Sequence, residues 1–271
     1  MPPLQTDGSK PLASSPTDLP VHHFTSFDGE RMAYREMGAG RPIVLIHGFF
    51  STAQVNWIRY GHAAKIAALG YRVIMPDLRG HGDSARPHDP AAYLKDALAD
   101  DGFALVAHLG LVDYDLGGYS LGGRTTLRML ARGATPGRAI LGGMGLAGIV
   151  DTGGRGGHFR NILTNLGSFP RGSNEWMAEA FLKTVGGDPV ALLNVLDTFA
   201  DTPLAAIGDI AVPALVVAGV DDHDNGSAQA LADALPAGRH VAVPGNHMSA
   251  VTRPELGDAM AAFLGDPTLT V

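Results

Sequence analysis

The stretch Gly118-Tyr119-Ser120-Leu121-Gly122 is the part of this sequence best suited to chemistry. A serine hydroxyl is a poor nucleophile at neutral pH, so it must be thrust out of the backbone toward a base. A sharp strand-to-helix turn does this, at the cost of a strained backbone at the serine. The residues two places to either side must then be very small, and both are glycine here. Gly123 adds a third small residue where helix and strand pack closely. A short apolar stretch (Val112 to Leu116) precedes the motif and a helical pattern follows it. With 36 glycines in the chain the five letters also suit an ordinary turn, so the decision rests on partner residues.

A serine nucleophile needs a base within hydrogen-bond reach and an acid to orient that base. Where strands and helices alternate, these follow in the order serine, acid, histidine, each at the carboxyl end of a strand. The strand expected over Ala214 to Ala218 runs into Gly219-Val220-Asp221-Asp222, and that over His240 to Val243 into Pro244-Gly245-Asn246-His247. The acid is expected at Asp222, the third residue after Gly219, with Asp221 and then Asp224 as competitors. Of 11 histidines, His247 stands out by position. His47 and His81 also sit in glycine turns, but both precede the serine.

A tetrahedral intermediate also needs backbone donors for its oxyanion. One is the N–H of Leu121, which opens a helix where the dipole favours negative charge. The second is expected at Phe49, in His47-Gly48-Phe49-Phe50, where Gly48 lets the backbone approach closely.

Two decoys fail on context. Asp221-Asp222-His223-Asp224-Asn225-Gly226 has its glycine at the sixth place of a calcium loop, but His223 stands third and Ala232 twelfth. An EF-hand needs an oxygen ligand at the third and a glutamate at the twelfth. Gly143-Met144-Gly145-Leu146-Ala147-Gly148 spells a dinucleotide fingerprint, which demands a helix directly after it. Asp151-Thr152-Gly153-Gly154 does not read as a helix start, so Gly143 to Gly148 is expected to be a flexible entry to the lid, with Met144 lining the pocket.

The positioning elements follow a simple order. Val21 to Thr25 and Met32 to Glu36 flank Asp28-Gly29, a hairpin turn signal. Ile43 to Ile46 is a fully apolar run, as for a strand buried on both faces. Further strands are expected at Arg72 to Met75, Tyr114 to Leu116 and Arg138 to Leu141. Helices are expected at Trp57 to Leu69, Tyr93 to Leu109, Leu121 to Arg132, Ala228 to Leu235 and Pro254 to Leu264. After the hairpin, strand and helix alternate, which implies a mostly parallel, eight-stranded sheet with helices on both faces. Between 148 and 207 the alternation stops. Helices expected at Phe159 to Leu166, Glu175 to Thr184 and Pro189 to Ala200 make this a helical lid over the ligand side. The core is then 21–147 and 208–271.

Composition fits one large domain. Hydrophobic residues make up 45% of 271, and cysteine is absent, which excludes a disulfide framework, a thiolate metal site and a cysteine nucleophile. A net charge of −7 without a basic run speaks against nucleic acid. No apolar stretch has the length to span a bilayer. Residues 1–20 hold five prolines and one lysine and no apolar signal core, so a flexible leader and a cytoplasmic location are expected.

Five stretches together resemble the α/β-hydrolase fold over roughly 21–265. They are Leu45-Ile46-His47-Gly48, Pro76-Asp77-Leu78-Arg79-Gly80-His81-Gly82-Asp83-Ser84, Gly118 to Gly123, Gly219-Val220-Asp221-Asp222 and Gly245-Asn246-His247. The resemblance is to the lid-bearing serine hydrolase and esterase branch. It implies a triad of Ser120, Asp222 and His247, and a structural role for Asp77, Arg79 and Asp83. Dehalogenases and epoxide hydrolases of the fold carry aspartate where this chain has Ser120. Apolar residues near these elements or in the insertion are the candidate substrate pocket: Phe50, Met144, Phe159, Trp176, Phe181 and Met248, besides Phe49. The expected reaction is hydrolysis of a small hydrophobic carboxylic ester or lactone, without a cofactor or metal. C–C bond hydrolysis of a diketone and cofactor-free haloperoxidase or oxygenase chemistry on the same fold are the alternatives.

Overall fold

The computed structural model describes residues 19–269, so the leader expected over 1–20 lies outside them except for its last two positions. Strands β1 (His22–Thr25) and β2 (Arg31–Gly38) form the expected antiparallel hairpin, with Gly29 at a φ of 94° in its turn. Then come β3 (Arg41–Ile46), β4 (Tyr71–Pro76), β5 (Asp115–Tyr119), β6 (Ala139–Gly142), β7 (Ala214–Gly219) and β8 (Gly238–Val243). They make one eight-stranded sheet in the order β1-β2-β4-β3-β5-β6-β7-β8, parallel from β4 onward.

Side chains alternate across this sheet, as the two-residue period of a strand requires. Ile43 and Leu45 of β3 face a core that includes Ile66 of α1 (His62–Ala67) and Met260 of α11 (Pro254–Leu264). Val44 and Ile46 face the opposite side, with Leu105 of α2 (Ala97–His108) and Leu121 of α3 (Leu121–Ala131). A third cluster joins α3 to α9 (Ala228–Ala234) over β6 and β7. The β3–β5 register pairs Ile46 with Gly118 and the β5–β6 register pairs Tyr119 with Gly142. The carboxyl ends of these strands therefore open onto one edge, where ligands bind in open α/β sheets.

Between β6 and β7 lie five helices: α4 (Leu146–Val150), α5 (Gly153–Thr164), α6 (Asn174–Thr184), α7 (Pro189–Asp197) and α8 (Leu204–Gly208). Ser173 and Asp188 cap α6 and α7 through side-chain oxygens that accept backbone N–H bonds. The entry expected to be flexible over Gly143 to Gly148 instead runs into α4 at Leu146. Asp151 to Gly154, which do not read as a helix start, lead into α5, which begins at Gly153 despite glycines at 153, 154, 156 and 157. Tertiary packing overrides the poor propensity, because Ile162 and Leu163 are buried in the core.

Two other expected helices are shorter than their patterns. The one expected over Trp57 to Leu69 is a π-helical turn (Gln54–Ile58) followed by α1, broken at Gly61 with a φ of 79°. The one expected from Tyr93 starts at Ala97, because Asp96 takes a left-handed conformation at a φ of 64°. The stretch 76–84 is fixed by its charges. Asp77 accepts bonds from Arg35 and from the N–H groups of Ala53 and Asp83. Fully buried Arg79 is held by Asp101 and Asp28. No helix among the described residues is long and apolar enough to cross a membrane.

Candidate active site

Ser120 sits between the end of β5 and the start of α3 at φ 55° and ψ −115°, a strained backbone for a residue with a Cβ. Its surroundings show why the glycines are needed. A Cβ on Gly118 would collide with the backbone of Gly122, and a Cβ on Gly122 with the carbonyl oxygen of Ile46. On Gly123 it would lie 2.9 Å from Met144 Cγ. The turn is therefore closed on three sides by main chain and packed core, and the serine side chain is pushed outward.

The base and the acid arrive from the two strand ends anticipated for them. His247 Nε2 lies 2.9 Å from Ser120 Oγ, and His247 Nδ1 lies 2.9 Å from Asp222 Oδ2. An ionised carboxylate only accepts, so Nδ1 carries the proton and Nε2 is free to accept from the serine hydroxyl. The side chains of His247 and Asp222 are 8% and 3% exposed, so water competes little for either bond. Asp221 is exposed and lies outside this relay. Asp224 bonds Arg155 at 2.7 Å.

Two local devices hold His247. Asn246 caps the short helix α10 (His247–Ala250) and forms a capping box with Ser249. Tyr119, the residue before the serine, donates its buried hydroxyl to the His247 carbonyl at 2.7 Å. Burial beside Asp222 raises the pKa of that phenol, so it remains a donor. Tyr119 has no role in the motif's own logic; the signal available for it is a polar aromatic at the end of β5, directly before the serine.

The loop after β3, where a second oxyanion donor is expected, passes close to Ser120. The Gly48 N–H donates to Asn56 Oδ1 at 3.0 Å, and Phe50 turns the chain through a φ of 60°. A Cβ on Gly48 would sit 3.4 Å from Ser120 Cβ, so this loop runs directly past the nucleophile. Neither the Phe49 nor the Leu121 N–H has a protein acceptor among the described residues. His47 is buried beneath the loop. The Leu78 N–H donates to its Nε2 and its Nδ1–H donates to the Gly48 carbonyl, so the ring is neutral, and burial pushes its pKa down.

The expected pocket residues divide. Phe49, Phe50 and Phe159 form one aromatic cluster, with ring centroids 4.5, 4.8 and 5.2 Å apart. His81 and Phe199 extend it from Phe49 at 5.6 and 6.4 Å, and neither was anticipated. Phe181 packs against the same core, whereas Trp176 is half-buried with Arg171 over its face at 5.9 Å. Met248 beside the histidine is 54% exposed. Met144 is a correction: it is 2% exposed and packs in the α3–α9 core, filling space left by Gly123.

The family model for the α/β hydrolase fold matches residues 41–140, from β3 through Ser120 to β6. The chain has the α/β-hydrolase fold. This member of the fold is 40% identical over 111 residues to a non-heme haloperoxidase of Rhodococcus erythropolis, covering 40% of this chain and 38% of that one. It is 36% identical over 103 residues to a soluble epoxide hydrolase of a Corynebacterium strain, covering 38% and 34%. The matched stretch thus spans little more than a third of these relatives. A thermophilic esterase from Thermogutta terrifontis shares the fold at a TM-score of 0.74 and 22% identity, over 93% of this chain and 100% of the other. Asp222 and His247 lie outside the stretch matched by the family model.

Proposed function

We propose that this α/β-hydrolase-fold protein is a serine hydrolase that cleaves a small hydrophobic carboxylic ester or lactone through an acyl-enzyme. The observation that carries the reading is the unbroken relay from Asp222 through His247 to Ser120, with 2.9 Å at both links. Ser120 Oγ attacks the carbonyl carbon while His247 Nε2 takes its proton, and Asp222 stabilises the imidazolium. The Phe49 and Leu121 N–H groups receive the oxyanion, and the α3 dipole adds to the second of them. His247 then returns the proton to the leaving alcohol. A water repeats the sequence on the acyl-enzyme and releases the acid. Tyr119 and Asn246 are positioning residues for His247.

In this reading the helices between β6 and β7 act as a lid. Phe159 of α5 closes on Phe49 and Phe50, which supports an apolar surface next to Ser120. The test is turnover of p-nitrophenyl acetate and butyrate by the wild type and by Ser120→Ala. The reading requires wild-type turnover that disappears in the variant while the folded state persists. Retained turnover in a folded Ser120→Ala protein refutes it.

A second reading is cofactor-free haloperoxidase chemistry, favoured by the 40% identity to the Rhodococcus protein. There Ser120 and His247 would form a peracid from a carboxylic acid and peroxide. Halide oxidation that depends on added peroxide and acetate, and on Ser120, identifies it.

A further inference from the structure

Arg124 is a buried arginine without an ion-pair partner among the described residues. It lies one turn into α3, its backbone N–H bonded to the Ser120 carbonyl at 2.9 Å. It is 5% exposed. Among the described residues its guanidinium has no salt bridge and no hydrogen bond, and its Nε is a buried donor without a partner. Its one evident contact is the face of Phe199, 4.6 Å from the ring centroid. An unpaired buried cation is costly. Burial and the neighbouring Arg155 push its pKa down to about 10, which still leaves it charged at neutral pH. Asp201 is the nearest compensating carboxylate, and it accepts from the N–H and hydroxyl of Thr152 instead.

This side chain borders a small cavity of ≈ 20 Å³ lined also by Leu121 and Phe199. That is room for a water or a group of similar size. The other polar groups of the lining are engaged. Asp96 pairs with Arg128 through two bonds of 2.7 and 2.5 Å, and Thr125 and Thr198 donate to the carbonyls of Leu121 and Val195. Only Arg124 has donors to offer. Leu121 joins the cavity to the nucleophile, since its N–H is the proposed oxyanion donor. Phe199 joins it to the aromatic cluster through Phe49.

We propose that Arg124 is a specificity determinant that binds the distal carboxylate of an acid-ended acyl group. This rests on the serine hydrolase reading and replaces its uncharged acyl group with a short apolar chain that ends in a carboxylate: half-esters of short dicarboxylic acids, or lactones that carry a carboxylate. One carboxylate oxygen in the place such a water would take would offset the buried charge and give Nε an acceptor.

The test uses two esters of equal acyl length, the mono-p-nitrophenyl ester of glutaric acid and p-nitrophenyl valerate. Arg124→Met should raise KM for the glutarate ester by about 10- to 100-fold, the range for a lost charge-assisted bond. It should leave valerate turnover near wild type, and Arg124→Lys should recover part of the loss. Equal effects of Arg124→Met on both esters would mean that Arg124 only packs on Phe199, and would overturn the proposal. Calorimetric titration with succinate, glutarate and adipate separates the two readings, because it needs no turnover. Binding by the wild type and not by Arg124→Met supports the site even if neither ester is cleaved. No binding of any of the three overturns it even if valerate is cleaved.

Discussion

Arg155 of α5 is bonded at 2.7 Å to Asp224, two residues beyond Asp222, which bonds His247. The same guanidinium lies over Phe159, 4.8 Å from its centroid. One side chain thus ties the helical insertion both to the acid loop and to the aromatic cluster beside Ser120. The Arg155–Asp224 pair is partly exposed, with Asp224 at 41%, so it contributes little to global stability. Asp224→Asn should lower kcat by less than tenfold and increase hydrogen exchange in 153–164. Asp222→Asn should lower kcat by about 10⁴, as removing the orienting acid of a triad does. Steady-state kinetics on both variants separates the two carboxylates.

Ser120 stores backbone strain that only its chemistry justifies. At φ 55° and ψ −115° a glycine would be relaxed. Ser120→Gly should therefore abolish turnover and stabilise the protein by about 1 kcal/mol, the lower end of the usual cost of such a conformation. Ser120→Ala should abolish turnover without that gain, since alanine retains the Cβ. Urea denaturation of the three proteins measures the difference.

The glycines around the serine should be intolerant of a single methyl group. Gly122→Ala places Cβ against the Ile46 carbonyl and Gly118→Ala against the Gly122 backbone. Main chain cannot rotate away as a side chain can. Each substitution should cost about 3 kcal/mol or more and displace Ser120 from His247. The loss is read as a fall in both denaturation midpoint and kcat.

The glycines of α5 should behave in the opposite way. A Cβ on Gly154 or Gly157 would meet nothing within 4 Å. Each alanine should stabilise α5 by about 0.5–1 kcal/mol. The gain is local, so it appears as slower hydrogen exchange in 153–164. If α5 must open to admit substrate, the double variant will also show a lower kcat/KM for p-nitrophenyl butyrate.

Buried histidines set the first acid-labile step. Burial depresses the pKa values of His47, His62 and His81. A depressed folded-state pKa means that the unfolded chain binds more protons just below its own value of about 6.5. The stability from these neutral rings is complete above that pH and is lost as pH falls through the folded values. Tm should be flat between pH 8 and 7 and fall below about 6.5, before carboxylate titration begins. Each histidine adds up to about 1.4 kcal/mol per pH unit to the slope. His81 has only the Arg79 carbonyl as partner, and His81→Asn should flatten the curve. An unchanged slope in that variant would remove His81 from this account.

The boundaries that differed from sequence expectation share a cause. Asp96 interrupts a helical pattern because a tertiary ion pair with Arg128 fixes it at positive φ. Helix α5 forms against its own glycine content because Phe159, Ile162 and Leu163 have a core to dock on. Met144 reads as a pocket residue from its place after β6, yet the gap beside Gly123 draws it inward. Local pattern cannot report which side of a turn the core lies on.

The sequence by itself determined the sheet, the strained serine turn, and the order Ser120, Asp222, His247. These depend on short-range rules: glycine spacing, apolar runs, and residues placed at strand ends. The sequence ranked Asp222 above Asp221 and Asp224 by its place after Gly219, and the contact itself is tertiary: Asp222 Oδ2 meets Nδ1 of His247 across 25 positions. Only the structure revealed that Tyr119 holds His247 and that Arg124 has no partner. Burial and pairing are properties of the folded surface, and a helix pattern cannot show whether an arginine finds a carboxylate or waits for one.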